Sequence, residues 1–316
     1  MNIKSLLKPS SYKQVYRLLN NKVMECLFED CARIRRVPQH LDIINLGSKP
    51  AKYSMDYSDS GVKGYNLAVG PQTLEYDFRM LKNYHSFLDD KGARILLLPL
   101  CPFSMCKYRY TAADGDAGED LRYYPILHHS QINNYREVTY TKWVKRPLLS
   151  VLSSPKNLRT VLRALKNRAR GSSEKEMDAA ALEISAKPYL DRWKKETGLS
   201  GFSAVPDSSR LLREIGENKR ILAEIAEFCA ARGIRPVIVL PPVSPAIMSR
   251  ISDDFLRECL YNPLSATGLP VLDFMQDPAW TTPGNFSTAL FLNSRARREF
   301  TKEIINRLRS QSLLPA

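Results

Sequence analysis

The chain of 316 residues lacks the sequence features of several large protein classes. It contains no run of 18 apolar residues, so we predict no transmembrane helix. Its first residues carry no apolar signal-peptide core, which favours a cytoplasmic location, with attachment to the periphery of a membrane as the alternative. Neither a P-loop nor a GxGxxG loop is present, and we expect no cofactor.

Cysteine and histidine are few, and their spacing argues against a metal site. None of the six cysteines forms the CxxC pair that is typical of zinc sites. We interpret them as reduced, mostly buried thiols and expect no bound metal. If the protein uses a histidine as a catalytic base, that histidine is one of four residues: His40, His85, His128 and His129.

Acidic residues are in the minority, because 33 Asp and Glu stand against 47 Lys and Arg, giving a net charge of +14. This excess predicts an anionic neighbour: nucleic acid, anionic lipid or an acidic glycan. Residues 142–170 hold nine basic residues and no acid, interleaved with leucines, which predicts a basic amphipathic helix. The helix is a candidate for binding an anionic membrane surface or nucleic acid, and a solvated basic face is the alternative. No RNA-recognition motif is present, so no specific nucleic acid is expected.

Alternating strand and helix patterns predict an α/β fold with a parallel sheet. Apolar runs that end in turn residues indicate buried strands at 43–46, 62–70, 94–100, 235–242 and 269–274. Helical periodicity indicates helices at 72–89, 211–232, 247–260 and 294–308. We predict four regions: an N-terminal helical segment (1–38), the first part of the sheet domain (39–105), a basic helical insertion (106–205) and the second part of the sheet domain (206–316).

Candidate site residues follow the predicted strands. Open α/β sheets bind ligands at the carboxyl ends of their strands, so Ser48 is a candidate nucleophile and Gly47 a candidate binding residue. A turn after the second strand adds Asn66 and Gly70. On the Gly47-Ser48 peptide alone, a serine-capped turn is the alternative.

Four further residues are candidates for binding a ligand. Asp273 and Asp277 end the last predicted strand, where they would line the cleft or act as a strand cap and a turn acid. His128 and His129 lie in the predicted insertion, where they would reach the cleft or remain solvated.

Four blocks of the sequence, at the ends of the predicted strands and before the last helix, together resemble the SGNH (GDSL-type) hydrolase superfamily. The resemblance is closest to its bacterial branch of cell-envelope glycan O-acyltransferases and esterases. Gly47-Ser48 resembles the nucleophile block. In the next block a turn at Asn66 leads into a helix with Tyr76 and Asp77 near its start. The segments GIRPVIVLPPVSP and VLDFMQDPAW resemble the penultimate strand and the start of the last block.

The resemblance covers residues 40–105 and 205–310 and implies a three-layer parallel sheet of the SGNH or flavodoxin-like type. In that family the last block reads Asp-x-x-His-Leu-Asn, with the histidine as general base and the aspartate orienting it. Aligning Leu292-Asn293 puts Phe291 at the histidine position and Thr288 at the aspartate position. The Gly-x-Asn block that completes the oxyanion hole is not evident after Leu100.

Phenylalanine cannot accept a proton, so the resemblance implies a pseudoenzyme that binds or scaffolds in surface-polysaccharide biosynthesis or modification. Its partner would be an acylated or acidic glycan, with a membrane surface or another protein as alternatives. An active serine esterase or O-acyltransferase, using Ser48 and a relocated base such as His128 or His129, is the second hypothesis. A binder of nucleic acid or anionic surfaces through residues 142–170 is the third.

Overall fold

A computed structural model of the chain describes residues 30–70, 72–107, 120–140, 176–203 and 208–314. These residues fall into two compact units, of which the smaller contains 30–37 and 120–140 and the larger contains the rest. Most of the predicted N-terminal segment and the predicted basic helix within 142–170 lie outside the described residues. No helix in the described ranges is long and apolar enough to cross a membrane.

The larger unit is built on five parallel strands. They are β1 (Ile43–Asn45), β2 (Gly64–Asn66), β3 (Ile95–Pro99), β4 (Arg235–Leu240) and β5 (Val271–Asp273). Their order across the sheet is β2-β1-β3-β4-β5, which is the flavodoxin-like order. All residues of β1 and β3 are buried, as expected of central parallel strands covered on both faces. The predicted α/β fold with a parallel sheet is confirmed.

Helices flank this sheet. They are α1 (Lys49–Lys52), α2 (Leu74–Tyr84), α3 (Ala179–Thr197), α4 (Ser209–Ala230), α5 (Pro245–Met248), α6 (Asp253–Leu256), α7 (Asn262–Ser265) and α8 (Ser294–Ser310). Side-chain caps fix where the long helices begin: Ser208 Oγ accepts the N–H of Leu211 (3.3 Å), and Asn293 Oδ1 accepts the N–H of Ala296 (2.9 Å). Helices α2 and α4 pack together through the edge-to-face pair Phe78 and Phe228, whose ring centroids are 5.8 Å apart.

Two local features differ from the predicted elements. The single helix predicted at 247–260 is broken, because Ser252 caps a new helix by accepting the N–H of Phe255 (3.1 Å), and a π-helical turn, Arg257–Tyr261, joins α6 to α7. A short antiparallel hairpin, β6 (Phe286–Thr288) and β7 (Phe291–Leu292), precedes α8 and was not predicted. Short 3-10 turns occur at His85–Phe87, Ser104–Cys106 and Pro283–Asn285.

Helix α3 belongs to the unit that contains the sheet, although the sequence places it in the insertion. Its buried residues include Leu182, Ala186, Leu190 and Trp193, and it packs against α5 and β6. The helix ends at Gly198, which adopts the left-handed conformation (φ +74°). One wall of the cleft described below is therefore formed by a segment distant in sequence from the strands.

Within its described residues, the smaller unit contains helices and turns of three or four residues each. They are the helices Cys31–Ile34 and Glu137–Tyr140 and the 3-10 turns Asp120–Tyr123 and His129–Gln131. Tyr124 and Tyr135 pack ring against ring at 4.9 Å, and the Tyr124 hydroxyl accepts the N–H of Arg136 (2.9 Å).

Candidate binding cleft

Ser48 lies at the carboxyl end of β1, where the order of the strands reverses. The chain passes from β1 to β2 on one side and from β2 to β3 on the other side of β1. Ligand crevices of doubly wound sheets open at this switch point, because the loops after the two neighbouring strands diverge there. Ser48 is also the N-cap residue of α1, but its side chain makes no capping hydrogen bond. Its hydroxyl is therefore directed to other partners.

Gly47 makes the turn that presents Ser48, and only glycine fits there. Its φ is +116°, a backbone conformation that residues with a Cβ rarely adopt. A Cβ at this position would lie 2.6 Å from the Cβ of Ala51 and 3.1 Å from the carbonyl oxygen of Pro99. The end of β1, the first turn of α1 and the end of β3 are thus packed against one another through this residue.

The Ser48 hydroxyl accepts a hydrogen bond from the backbone N–H of Gln72 (3.1 Å). In the described parts of the chain this is the one hydrogen bond that the hydroxyl makes, and it donates its own proton to none of these residues. The partner is a donor, so it cannot remove a proton from Ser48. A serine activated for attack needs an acceptor base at this place.

Asp77 supports the turn that carries Ser48 without lining the cleft itself. Its Oδ1 accepts the N–H of Gly47 (2.6 Å) and a second hydrogen bond from the side-chain amide of Gln72. Asp77 is buried with 3% exposure. Burial disfavours the charged carboxylate and raises its pKa to about 7, although the two hydrogen bonds act in the opposite direction. One carboxyl group therefore joins the turn that carries Ser48 to the loop before α2.

A cleft with a volume of about 110 Å³ opens above Ser48. Its described lining residues come from five segments of the sheet unit: Ser48, Lys49, Pro50, Gln72, Thr73, Cys101, Phe103, Ser104, Cys106, Lys107, Tyr189, Arg192, Trp193, Glu196, Thr197, Leu290 and Phe291. Aromatic rings form much of the wall, with Phe103 stacked on Trp193 at 4.1 Å. Positions 48 and 291, which the family resemblance assigns to the nucleophile and to its base, line this same cleft.

Phe291 lies at the position that the family resemblance assigns to the histidine base. Its ring packs against Tyr53 (4.8 Å) and Tyr189 (5.6 Å), so the position is filled by an aromatic cluster. Thr288 holds the hairpin turn, because its Oγ1 accepts the N–H groups of Leu290 (3.3 Å) and Phe291 (3.2 Å) and the hydroxyl of Tyr189 (3.1 Å). Neither residue supplies an ionisable group to Ser48.

The histidines of the sheet unit lie away from the carboxyl ends of the strands. His40 precedes β1 at the amino end of the sheet and pairs with Asp89 (3.7 Å). His85 follows the C-terminus of α2, where its ring packs edge-on against Phe228 (5.2 Å).

His128 and His129 belong to the smaller unit. Their rings pack against each other at 4.0 Å, and His128 Nδ1 lies 2.8 Å from the hydroxyl of Ser130. His128 caps the short turn that follows it, since it accepts the N–H of Ser130 (3.4 Å). Both side chains have a local structural role in this turn.

Of the remaining predicted site residues, Gly70 lies beside the cleft. A Cβ at Gly70 would lie 2.1 Å from Cγ of Lys49, so the missing side chain lets the two loops meet. Asp273 and Asp277 are not among the residues that line the cleft. Their carboxylates accept the N–H groups of Met275 (2.9 Å) and Ala279 (2.9 Å), which fits their interpretation as a strand cap and a turn acid.

Asn66 connects the two strands next to the cleft instead of facing a ligand. Its side-chain N–H₂ donates to the carbonyl oxygens of Met55 (3.0 Å) and Lys52 (3.3 Å). Its Oδ1 accepts the N–H of Ala68 (3.0 Å) and the side-chain amide of Asn45 (2.9 Å). The loop after α1 is thereby tied to the end of β2.

We expect Asn66→Ala to lower the free energy of unfolding by about 2–3 kcal/mol, because it leaves several buried backbone groups without partners. Urea denaturation monitored by circular dichroism measures the loss. Asn83→Ala is the matched control, since Asn83 is exposed on α2, where it donates to the carbonyl oxygen of Arg79. The control should change the stability by less than about 0.5 kcal/mol, and an equal effect of both substitutions would contradict this role.

The sequence did not identify Thr73, Gln72, Tyr189 or Trp193 as cleft residues. Tyr189 and Trp193 carry only the pattern of a helix, and their place in the cleft depends on how α3 packs. The sequence identified Asp77 as part of the Tyr-Asp pair at the start of α2, but it did not predict that the side chain is buried. No group of three or more histidine, cysteine or acidic side chains within the described ranges is arranged to hold a metal ion.

Comparison of the chain with protein-family models, with curated proteins and with solved structures finds no match. Its function is therefore inferred from the geometry of the cleft and from the sequence blocks that surround it.

Proposed function

We propose that this chain is an SGNH-hydrolase-like protein whose cleft binds a ligand without catalysing ester hydrolysis. The observation that carries the proposal is the environment of Ser48, whose hydroxyl has a backbone donor as its partner and which shares its cleft with Phe291. The flavodoxin-like strand order and the strand-end serine support kinship with that superfamily.

Hydrolysis by such a site needs a base within about 2.6–3.2 Å of the serine hydroxyl. The base would accept the proton as the oxygen attacks a carbonyl carbon, and an acid would hold it in the correct orientation. The aromatic cluster around Phe291 and the turn formed by Thr288 provide neither group. Ser48 without an activating base is a weak nucleophile at neutral pH.

The ligand that best suits this cleft is an acylated or acidic glycan. Basic side chains from three segments, Lys49, Lys107 and Arg192, line the cleft together with aromatic rings. The net positive charge of the whole chain also favours binding of an anionic ligand. A binding or scaffolding role in surface-polysaccharide biosynthesis or modification follows from this ligand and from the family resemblance.

Hydrolysis and binding assays with the purified full chain test the proposal. We expect no release of nitrophenol from p-nitrophenyl acetate, and no release of acetate from O-acetylated oligosaccharides, beyond that of Ser48→Ala. Calorimetric titration should show binding of acidic oligosaccharides and weaker binding of neutral ones of equal length. Hydrolysis by the parent that disappears in Ser48→Ala would establish the active-esterase hypothesis instead. Absence of any glycan binding would contradict the assigned ligand.

A further inference from the structure

The cleft contains two hydroxyl groups that lack an acceptor among the described residues. The Ser48 hydroxyl accepts from Gln72 but donates to none of them. Thr73 is 5% exposed, lines the cleft, and its hydroxyl oxygen is buried with no hydrogen-bond partner. Buried polar groups in folded proteins are nearly always paired, so the buried, unpartnered hydroxyl of Thr73 favours a ligand that brings an acceptor, and the half-buried Ser48 hydroxyl offers a second donor in the same cleft.

Thr73 is the N-cap residue of α2, yet its side chain does not cap the helix. A threonine at this position usually accepts an N–H from the first turn. Here the 11-residue helix presents its N-terminus, with the partial positive charge of the helix dipole, at the cleft wall. The N-terminus and the unpartnered hydroxyl favour the same kind of ligand, namely one with negatively charged oxygens.

The charged side chains around these hydroxyls have the same preference. In the described lining of the cleft, three side chains are basic (Lys49, Lys107 and Arg192) and one is acidic (Glu196). Glu196 is already bonded to Nε of Arg192 (2.6 Å). Glu75 and Asp77 in the first turn of α2 do not line the cleft, and Glu75 pairs with Arg79 (2.5 Å).

Lys49 lines the same cleft as the two hydroxyls. It follows Ser48 directly in the chain, and its Cγ packs against Gly70, two residues before Gln72. Gln72 in turn connects Ser48 to Thr73, because its backbone N–H is the donor to Ser48 Oγ. Ser48, Lys49 and Thr73 therefore line the same cleft and are connected through Gly70 and Gln72.

From this arrangement we infer an anion subsite, formed by Ser48, Lys49 and Thr73 at the N-terminus of α2, which binds a carboxylate or phosphate group of the ligand. This inference rests on the proposed binding function and adds where and how the ligand's charge is recognised. The two hydroxyls donate to the anionic oxygens, Lys49 supplies the countercharge, and the aromatic wall contacts the remainder of the ligand.

Titration calorimetry with defined small molecules tests the subsite separately from any test of hydrolysis. D-galacturonate, acetate and inorganic phosphate are the probes, and D-galactose is the neutral control. The parent should bind galacturonate at least about tenfold more tightly than galactose, because a hydrogen-bonded charge is lost in the neutral sugar. Tighter binding of galacturonate than of phosphate identifies a sugar carboxylate as the natural group, and the reverse order identifies a phosphorylated ligand.

Substitutions then locate the binding site. Thr73→Val keeps the shape and removes the hydroxyl, and Lys49→Gln keeps the Cγ that contacts Gly70 and removes the charge. Each should weaken binding of galacturonate and phosphate about tenfold, and Thr73→Ser should retain binding. Lys187→Gln, the same change on the exposed face of α3, should leave affinity within about twofold.

The subsite would be refuted if Thr73→Val and Lys49→Gln bound both anions as tightly as the parent, or if galactose bound as well as galacturonate. Far-UV circular dichroism and melting curves of each variant separate lost binding from lost folding. Ester hydrolysis by the parent would overturn the non-catalytic function alone, because these titrations use probes that contain no ester.

Discussion

Gly47→Ala should lower the free energy of unfolding by about 4 kcal/mol. Positive φ at a residue with a Cβ costs about 1–2 kcal/mol, and forcing a methyl group into a packed interior adds about 1–3 kcal/mol. Both costs apply here, because φ is +116° and the new Cβ would lie 2.6 Å from the Cβ of Ala51. Urea denaturation followed by circular dichroism measures the change.

Gly61→Ala is the matched control for this substitution. Gly61 also has positive φ (+72°), but no atom lies within 4 Å of where its Cβ would be. Only the backbone cost of about 1–2 kcal/mol should appear. The difference between the two variants therefore measures the close packing of β1, α1 and β3 at the floor of the cleft. Equal losses would show that Gly47 is needed for its backbone conformation only.

We expect the free energy of unfolding to depend strongly on pH because of Asp77. Burial raises the pKa of Asp77 from 3.8 to about 7 in the folded chain. Between these two values the folded state keeps a proton that the unfolded state has lost, so stability falls as the pH rises. The contribution of this group is fully present below about pH 4 and is lost by about pH 7. A shift of about three pKa units corresponds to about 4 kcal/mol.

Asp77→Asn should remove this contribution, since the amide cannot ionise. The difference in unfolding free energy between parent and Asp77→Asn should therefore change by about 4 kcal/mol between pH 4 and pH 8. Denaturation at several pH values measures it, and the comparison does not depend on how stable the variant is at any single pH. Asp191→Asn, which removes an exposed carboxylate on α3, is the control. Parallel curves for the parent and Asp77→Asn would show that the buried carboxyl is not protonated.

The strands of the sheet could be predicted from the sequence because central parallel strands are buried on both faces. Such strands form continuous apolar runs, as in 43–46, 94–100 and 235–242, which contain β1, β3 and β4. The helix predicted at 247–260 is broken because Ser252 is a capping residue, and helical periodicity does not register a cap within an apolar run. The hairpin at 286–292 was missed because its strands contain two or three residues each.

The cleft could be predicted only in part. Ser48 and Phe291 were identified because both lie in sequence blocks with family resemblance. Tyr189 and Trp193 were not, since their place depends on the packing of α3 against the hairpin, which no local pattern encodes. The burial of Asp77 is likewise a tertiary property, because a charged residue in the first turn of a helix is normally exposed. Kinship with the SGNH superfamily remains a proposal that the strand order and the strand-end serine support.

The central claim is that the hydroxyl of Ser48 is not activated. The most direct measurement is intact-mass spectrometry of the full chain after incubation with a fluorophosphonate, which attaches covalently to activated serines. Ser48→Ala treated in the same way is the reference. We predict equal spectra, with no added phosphonyl mass on the parent. A single adduct on the parent that maps to Ser48 and is absent from Ser48→Ala would contradict the claim and show that a base reaches the hydroxyl.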